Sequence, residues 1–567
     1  MNSFNLKTSR YLFHIALSLI LILNIAQAFS TGLLDDEAYY WAYSQNLAFG
    51  YFDHPPLVAL YIWISDFLFS GELGVRFFSG IMYVLMIFIF WKVTDHPKKK
   101  QYTGLYLLLF FSTALLNVYG FITVPDAPLM LFIALFLLGY KTYLKNQSIA
   151  SCILLAVAMT GMLYSKYHGV LVIFFALISN VKVLKDPKIL LSGLITIILF
   201  FPHLHWQYVH DFPSIRYHLY ERVSATSYKL EYTLLHFVNA IIIVGFTFPI
   251  IYKAFFKGFG KKGLFYKSLN YIIAGFFLFF FLSSYRGHVQ AQWLAPMILP
   301  LLFITFNYLI ENKYQIKLFN YLAILNISII LIARMIIANE GIIPVNLSFY
   351  GNKKWALEIK EKAKNTDKLF INSYQNASIY WFYTKEKPHY QHNYLGRKNQ
   401  YGLMKDNLIF RKDSIAYITN SENDYSVINN RGIGNDSIFV SFIKDLKPFF
   451  KIKIDFVDKN NINIPNSEET NLDVLIKNPY DFDIHIDDLE IHIVFSNKEN
   501  SEIYSISTQA DYKGVLKAYS ESATTLRFNG KDVKNAEEFL NIGIGIRTSE
   551  KAGFVKASSL SRYKRYN

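Results

Sequence analysis

The chain has 567 residues, 53% hydrophobic and 17% aromatic, with a formal net charge of +15. A water-soluble protein of this length divides into domains of ordinary composition; here apolar residues gather in runs of roughly 18–22 up to about residue 340, the length of a helix across a bilayer, and the chain then turns polar. The basic charge is not a nucleic-acid footprint: up to residue 340 there are 25 Lys+Arg against 14 Asp+Glu, placed mostly between apolar runs as membrane-topology signals are.

Eleven spans are predicted in chain order, at about 11–30, 73–93, 103–121, 127–145, 149–165, 169–184, 189–206, 232–252, 267–284, 293–311 and 318–338. The first has the Lys7 and Arg10 flank and the Ala26-Gln27-Ala28 ending of a signal peptide, but ten spans and an acidic cluster follow it, which favours a retained helix. Cys152, the single cysteine, lies inside an apolar run, so no internal disulfide forms. With the N-terminus inside, the cytoplasmic segments hold 18 Lys+Arg and three Asp+Glu, and the outer segments hold seven and eleven. The positive-inside bias fixes this orientation and places the tail, 341–567, outside.

The outer segments carry the unusual residues. The first reads Asp35-Asp36-Glu37-Ala38-Tyr39-Tyr40-Trp41 and continues to Tyr51-Phe52-Asp53-His54-Pro55-Pro56; the second holds Pro125-Asp126-Ala127-Pro128. Lys166 sits between two apolar runs, and Arg216 and Arg222 follow the seventh span. Outer loops are polar in any membrane protein, and a lysine between spans can snorkel to the interface. Against that, carboxylates bordering hydrocarbon are costly unless paired or wet, so they mark candidate sites. A carboxylate at the lip of such a site accepts a proton from an attacking hydroxyl; nearby Lys and Arg hold a phosphate leaving group. Asp53, His54 and His205 are candidate ligands for a divalent metal, without any tight ligand spacing such as HExxH. No nucleotide-binding loop is present, neither GxxxxGK[ST] nor GxGxxG after a strand.

The run Asp36-Glu37-Ala38-Tyr39-Tyr40-Trp41, followed by Tyr51-Phe52-Asp53-His54-Pro55-Pro56-Leu57, resembles the first outer loop of the membrane-embedded GT-C glycosyltransferases, in the subgroup of protein O-mannosyltransferases and the lipid A aminoarabinose transferase. Pro125-Asp126-Ala127-Pro128-Leu129, Ser165-Lys166-Tyr167-His168-Gly169, the His210 to Arg222 stretch and Gln292-Trp293-Leu294-Ala295-Pro296 resemble the same family in order. The resemblance covers about 10–410. It implies an inverting transfer from a polyprenyl-phosphate-linked sugar to a glycolipid, glycan or protein acceptor, on the outer face of a bacterial cytoplasmic membrane, with membrane lipid around it and no nucleic acid. Asp36 falls on the general base and Glu37 on its orienting neighbour. Asp53, His54, Asp126, Lys166, Arg216 and Arg222 fall on the donor-phosphate side; His54 stands where relatives carry a Lys. Gln292 and Trp293, with Tyr374 and Gln375 of the tail, fall on the acceptor side; Gln290 and Gln292 replace the Glu and Asn of many relatives.

The expected architecture is a polytopic α-helical membrane protein of the GT-C fold with about eleven transmembrane helices over 1–340, then an extracytoplasmic α/β domain over 341–450 and a β-rich, sandwich-like domain over 451–567. The helical stretch Trp355 to Asn365 and the strand Leu369–Asn372 support the former; Phe482, Ile484 and Ile486, spaced by two, and Glu490–Phe495 support the latter. The competing class is a transporter or lipid flippase, which also carries intramembrane charges but tends to show paired repeats and broken helices at the midplane.

Overall fold

The computed structural model describes residues 3–221, 228–261, 263–345, 347–394, 396–404, 414–419, 426–428, 438–444, 446, 449–459, 462–497, 503–512, 514–533, 539–547 and 554–566. It divides into two compact units, Met1–Asn352 and Lys353–Asn567.

The first unit is helical: α1 Ser3–Ser30, α2 Asp35–Ser44, α3 Leu57–Leu68, α4 Gly71–Val93, α5 Thr103–Phe111, α6 Ala114–Tyr119, α7 Asp126–Asn146, α8 Ile149–Ser165, α9 Gly169–Ile178, α10 Pro187–Val209, α11 Pro213–Arg216, α12 Leu230–Ile242, α13 Phe248–Gly258, α14 Leu264–Ser283, α15 Ile298–Glu311 and α16 Tyr314–Ala338. A 3₁₀ segment, Ala291–Met297, leads into α15. Among the described residues, seven helices are long and apolar enough to cross a membrane: α1 from Tyr11, α4, α7, α10, α14, the run Ala291–Glu311, and α16. An eighth counts if α12 and α13, bent by 91°, form one span. The chain is a multi-pass membrane protein, and four of the eleven predicted spans depart from a single long helix. The stretch 103–121 breaks into α5 and α6, 232–252 bends, and α8 and α9 are shorter apolar helices.

The breaks have a physical cause. A helix interrupted inside hydrocarbon leaves backbone groups that no water satisfies, so side chains must take them. Asn326, buried in α16, does this for two breaks at once. Its amide nitrogen donates to Ser112 O, at the end of α5, and to Val244 O, at the end of α12, at 2.9 and 3.0 Å. Its amide oxygen accepts from Phe246 N at 2.9 Å. Gly245, between α12 and α13, has φ +66°, and a Cβ there would fall 2.5 Å from the Asn326 amide, so both the turn and the close approach require glycine. Hydrophobic periodicity alone reads 103–121 and 232–252 as continuous, because the breaking signal is one polar residue more than eighty positions away.

The second unit begins with a helix, Asn352–Lys362, and a five-stranded mixed sheet ordered His389–Gln391, Asp367–Ile371, Ser414–Thr419, Ile438–Lys444, Ser426–Ile428. The first three strands pair in parallel, and the last pairs are antiparallel. A helix, Tyr374–Thr384, connects two of the parallel strands, as a crossover requires. Beyond it, among the described residues, lie two larger sheets and the two-stranded pair of Ile484–His485 with Val515–Leu516. The larger is ordered Ile503–Ser507, Glu490–Asn497, Phe539–Arg547, Ser561–Tyr566, Ile462–Pro465; the smaller Gln509–Ala510, Glu521–Phe528, Thr470–Lys477, Lys453–Phe456. Alternate residues of both enter one core, with Val474, Ile476 and Leu526 from the smaller sheet and Ile493, Phe495, Ile542 and Ile544 from the larger. That shared core makes the region a β-sandwich. The alternation at Phe482, Ile484 and Ile486 yields only the short strand Ile484–His485, followed by a 3₁₀ turn at Ile486–Asp488.

Replacing Asn326 with Leu strands three buried backbone groups. We expect a loss of about 3 kcal/mol, read as a melting temperature lower by several degrees in detergent. Asn307→Ala is the control: its amide donates to Phe303 O within its own helix and holds no broken span, and its loss should cost about 1 kcal/mol. Equal shifts for the two variants would contradict the bridging role.

Candidate functional site

Helix α2 follows the end of α1 by a four-residue turn and opens with three acidic residues, Asp35, Asp36 and Glu37. They meet opposite fates. Asp36 is exposed. Glu37 is fully buried and paired with Arg76 of α4, itself fully buried. One Glu37 oxygen accepts from Arg76 Nε at 2.7 Å and from Thr123 N at 2.8 Å; the other accepts from Arg76 Nη2 at 2.5 Å and from Leu34 N at 3.0 Å. The Leu34 bond is half of a helix-capping arrangement and fixes where α2 begins. Arg76 spends its other donors on the carbonyls of Ala28, Thr31 and Gly32, where α1 ends. The buried charge is thus neutralised and every strong donor is used, the condition under which such a pair persists.

Thr123 carries the bracket onward. Its hydroxyl donates to Val75 O at 2.9 Å and lies 2.8 Å from Ser79 Oγ, both on α4. Three residues later Asp126 starts α7, and both its oxygens accept from Lys166 Nζ, at 2.9 and 2.8 Å. Both partners are buried. Lys166 ends α8 in extended backbone, which turns its side chain across to α7. The sequence places Asp126 and Lys166 forty residues apart; the fold makes them one ion pair.

Asp53 is also buried, and one of its oxygens accepts from the hydroxyls of Tyr39 and Tyr43 at 3.0 and 3.1 Å. Burial first, then Tyr39 and the Asp53 carboxylate, pushes the Tyr43 phenol well above its ordinary range, so it stays a donor. His54 lies edge-on to Tyr40, ring centres 5.5 Å apart. Of the metal candidates, Asp53 is engaged by these hydroxyls and His205 is exposed on α10; among the described residues no group of three or more His, Cys, Asp or Glu converges.

The remaining candidates are spread more widely. Arg216 is exposed at the end of α11; Arg222 lies outside the described residues. Trp293 packs between His168 and Phe280, at 5.7 and 5.5 Å, and Gln292 donates to the side chain of Gln290 at 3.0 Å. Tyr374 and Gln375 belong to the second unit, in the first turn of Tyr374–Thr384, where Arg397 donates to the Tyr374 hydroxyl at 2.9 Å. Sequence reasoning gave Arg76 and Thr123 no role. The signal for Arg76 was present: an arginine just inside an apolar span must find a partner. Thr123 acts through its backbone N–H, which carries no sequence signature.

Known proteins resemble the chain in the same region. The family model described as dolichyl-phosphate-mannose-protein mannosyltransferase matches residues 53–206. Lipid A galacturonosyltransferase RgtD from Rhizobium johnstonii is 25% identical over 198 residues, which span 33% of this chain and 41% of that protein. The crystal structure of ArnT from Cupriavidus metallidurans in the apo state has a TM-score of 0.59 at 11% identity, covering 76% of this chain and 98% of that one. The same enzyme bound to undecaprenyl phosphate gives 0.57 at 12% identity, covering 75% and 97%. The fold is therefore the ArnT-like GT-C fold.

Arg76→Met would leave the Glu37 carboxylate buried without its counter-charge, at a cost of about 3–5 kcal/mol. The double variant Glu37→Leu with Arg76→Met removes the buried charge but still strands the backbone groups that the pair held, so it should recover only part of that loss. Thermal unfolding of the purified proteins checks this, and a double variant no more stable than Arg76→Met alone would contradict the pairing.

Proposed function

We propose that this chain, a member of the GT-C superfamily that includes the mannosyltransferases and ArnT, is an inverting glycosyltransferase taking its sugar from a polyprenyl-phosphate-linked donor. The acceptor is a glycolipid, a glycan or a protein at the outer face of the cytoplasmic membrane, and the second unit is extracytoplasmic. The charge bias of the connecting segments supports this orientation. RgtD acts on lipid A and ArnT binds undecaprenyl phosphate, which supports a lipid-linked donor and an envelope acceptor.

The observation that carries the reading is the contrast between adjacent carboxylates on α2. Glu37 has all its acceptor capacity taken by Arg76, Thr123 and Leu34, so it serves as an anchor. Asp36, in the same first turn of α2, is exposed. A base needs a fixed position and access to the substrate, and this turn supplies both. In the reaction, Asp36 removes the proton from the acceptor hydroxyl. The oxygen forms a bond to the anomeric carbon from the side opposite the phosphate, and the bond from that carbon to the phosphate oxygen breaks with its electron pair. The products are the glycosylated acceptor, with inverted configuration, and polyprenyl phosphate. Lys166 and Arg216 are the cations nearest in role to that leaving phosphate. Lys166 meets it as half of a pair with Asp126, so the pair orients a phosphate more than it attracts one. A metal, if the reaction uses one, draws on Asp53 and His54.

Asp36→Asn keeps the shape and removes the base. In a deletion strain complemented with this variant, mass spectrometry of envelope glycolipids and glycoproteins should show the transferred sugar reduced by about 10²–10⁴-fold at normal protein abundance. Normal modification would contradict the assignment. Orientation is checked separately: Cys152 is buried, so Gln45→Cys on a Cys152→Ser background should react with an impermeant maleimide from outside. Labelling only after the membrane is opened would invert the topology.

A further inference from the structure

The segment from Phe49 to His54 carries Asp53 and His54 yet contains no helix or strand. Its carbonyls at alternate positions, Phe49, Tyr51 and Asp53, are each met by a side chain from α10 or the stretch just after it. His203 Nδ1 lies 2.6 Å from Phe49 O, Ser214 Oγ donates to Tyr51 O at 3.0 Å, and His218 Nε2 lies 3.0 Å from Asp53 O. The segment is bent, closed by a bond from Tyr51 N to His54 O at 3.1 Å, so no neighbouring strand pairs with it and these three side chains take carbonyls that its own turn leaves open. We infer that they, with Gln207 behind them, form a clamp that sets the register of the segment bearing Asp53 and His54, and so act as positioning residues for the donor phosphate.

The direction of each bond follows from what the partners can do. A carbonyl only accepts, so His203 carries its proton on Nδ1, and in the neutral ring Nε2 accepts from Tyr167, 3.1 Å away. Ser214 spends its proton on Tyr51 O. Both hydroxyls therefore need donors of their own, and Gln207 Nε2 supplies both, to Tyr167 at 2.9 Å and to Ser214 Oγ at 2.8 Å. Gln207 is buried, and its amide oxygen has no hydrogen-bond partner among the described residues. A polar atom left so is costly, and it is tolerated here because the two N–H groups hold the relay in one direction. Close approach is part of the device: a Cβ on Gly50 would lie 2.3 Å from the Trp206 ring, so only glycine lets α10 come near enough for His203 to reach the main chain. The same helix thus aligns two hydroxyl-linked branches on one strip of backbone.

This inference rests on reading that segment as part of the donor site, and its test separates the two. Gln207→Glu keeps the size but offers only acceptors, which turns the Tyr167 and Ser214 protons towards itself and away from His203 and Tyr51 O. Full-length wild type, Gln207→Glu, Ser214→Ala and Ser214→Thr are compared in lipid nanodiscs. Hydrogen exchange over 48–54, binding of undecaprenyl phosphate and melting temperature are read for each. The expected result for Gln207→Glu and Ser214→Ala is faster exchange confined to 48–54 and undecaprenyl phosphate bound about tenfold more weakly, with melting unchanged within about 2 °C. Ser214→Thr, which keeps the hydroxyl, restores both. If Gln207→Glu does not fold, the Ser214 pair decides alone. Unchanged exchange in Ser214→Ala overturns the clamp, as does a loss of binding that tracks a global fall in melting temperature. If wild type itself ignores undecaprenyl phosphate, the donor assignment fails, while local exchange still decides whether the clamp exists.

Discussion

The ion pair between Glu37 and Arg76 is the interaction on which the rest of the site depends. Two opposite charges sealed from water are favourable only when geometry is good and every remaining lone pair and proton is used. Here the carboxylate takes one edge of the guanidinium, a backbone N–H from the connection between α6 and α7 and the capping N–H of its own helix, while Arg76 binds the carbonyls where α1 ends. One pair therefore ties together four parts of the chain: the end of α1, the start of α2, the start of α4 and the residue three before Asp126. Their relative placement is not adjustable piecemeal. Moving any one of them leaves a buried charge without its full set of partners.

Chemical roles divide along that bracket. The carboxylates at the helix ends are not equivalent solvated groups. Glu37 is bound to Arg76, Asp126 to Lys166, and Asp53 accepts from two tyrosines. Asp36 is the one of these four that stands exposed. The proposed proton acceptor for an incoming hydroxyl is this residue, beside a neighbour whose own capacity is exhausted. The buried Asp126–Lys166 pair presents a nearly neutral but strongly polar face, suited to orienting a phosphate that already carries its own counter-ions.

Much of this was legible in the residues. Runs of apolar residues and the Asp36 to Pro56 motif lead to a multi-pass GT-C architecture, and alternating patterns in the tail lead to strands. What was not legible depends on contacts between distant positions. Asn326 interrupts two spans it does not belong to, so hydropathy reads 103–121 and 232–252 as continuous. Lys166 reads as a free cation until α7 is placed beside α8. Thr123 works through an amide that any residue but proline has. His203, Ser214 and His218 look like ordinary polar residues in and after one helix; only the fold shows that they meet every second carbonyl of one segment.

The account stands on a single displacement assisted by one base. Its most direct test is the anomeric configuration of the product against that of the lipid-linked donor, read by NMR coupling constants on sugar transferred by the purified protein. Inversion is the outcome expected when a hydroxyl deprotonated at Asp36 attacks opposite the phosphate. Retention would require a covalent sugar–enzyme intermediate, which Asp36 acting as a base does not provide, and would contradict the proposed mechanism.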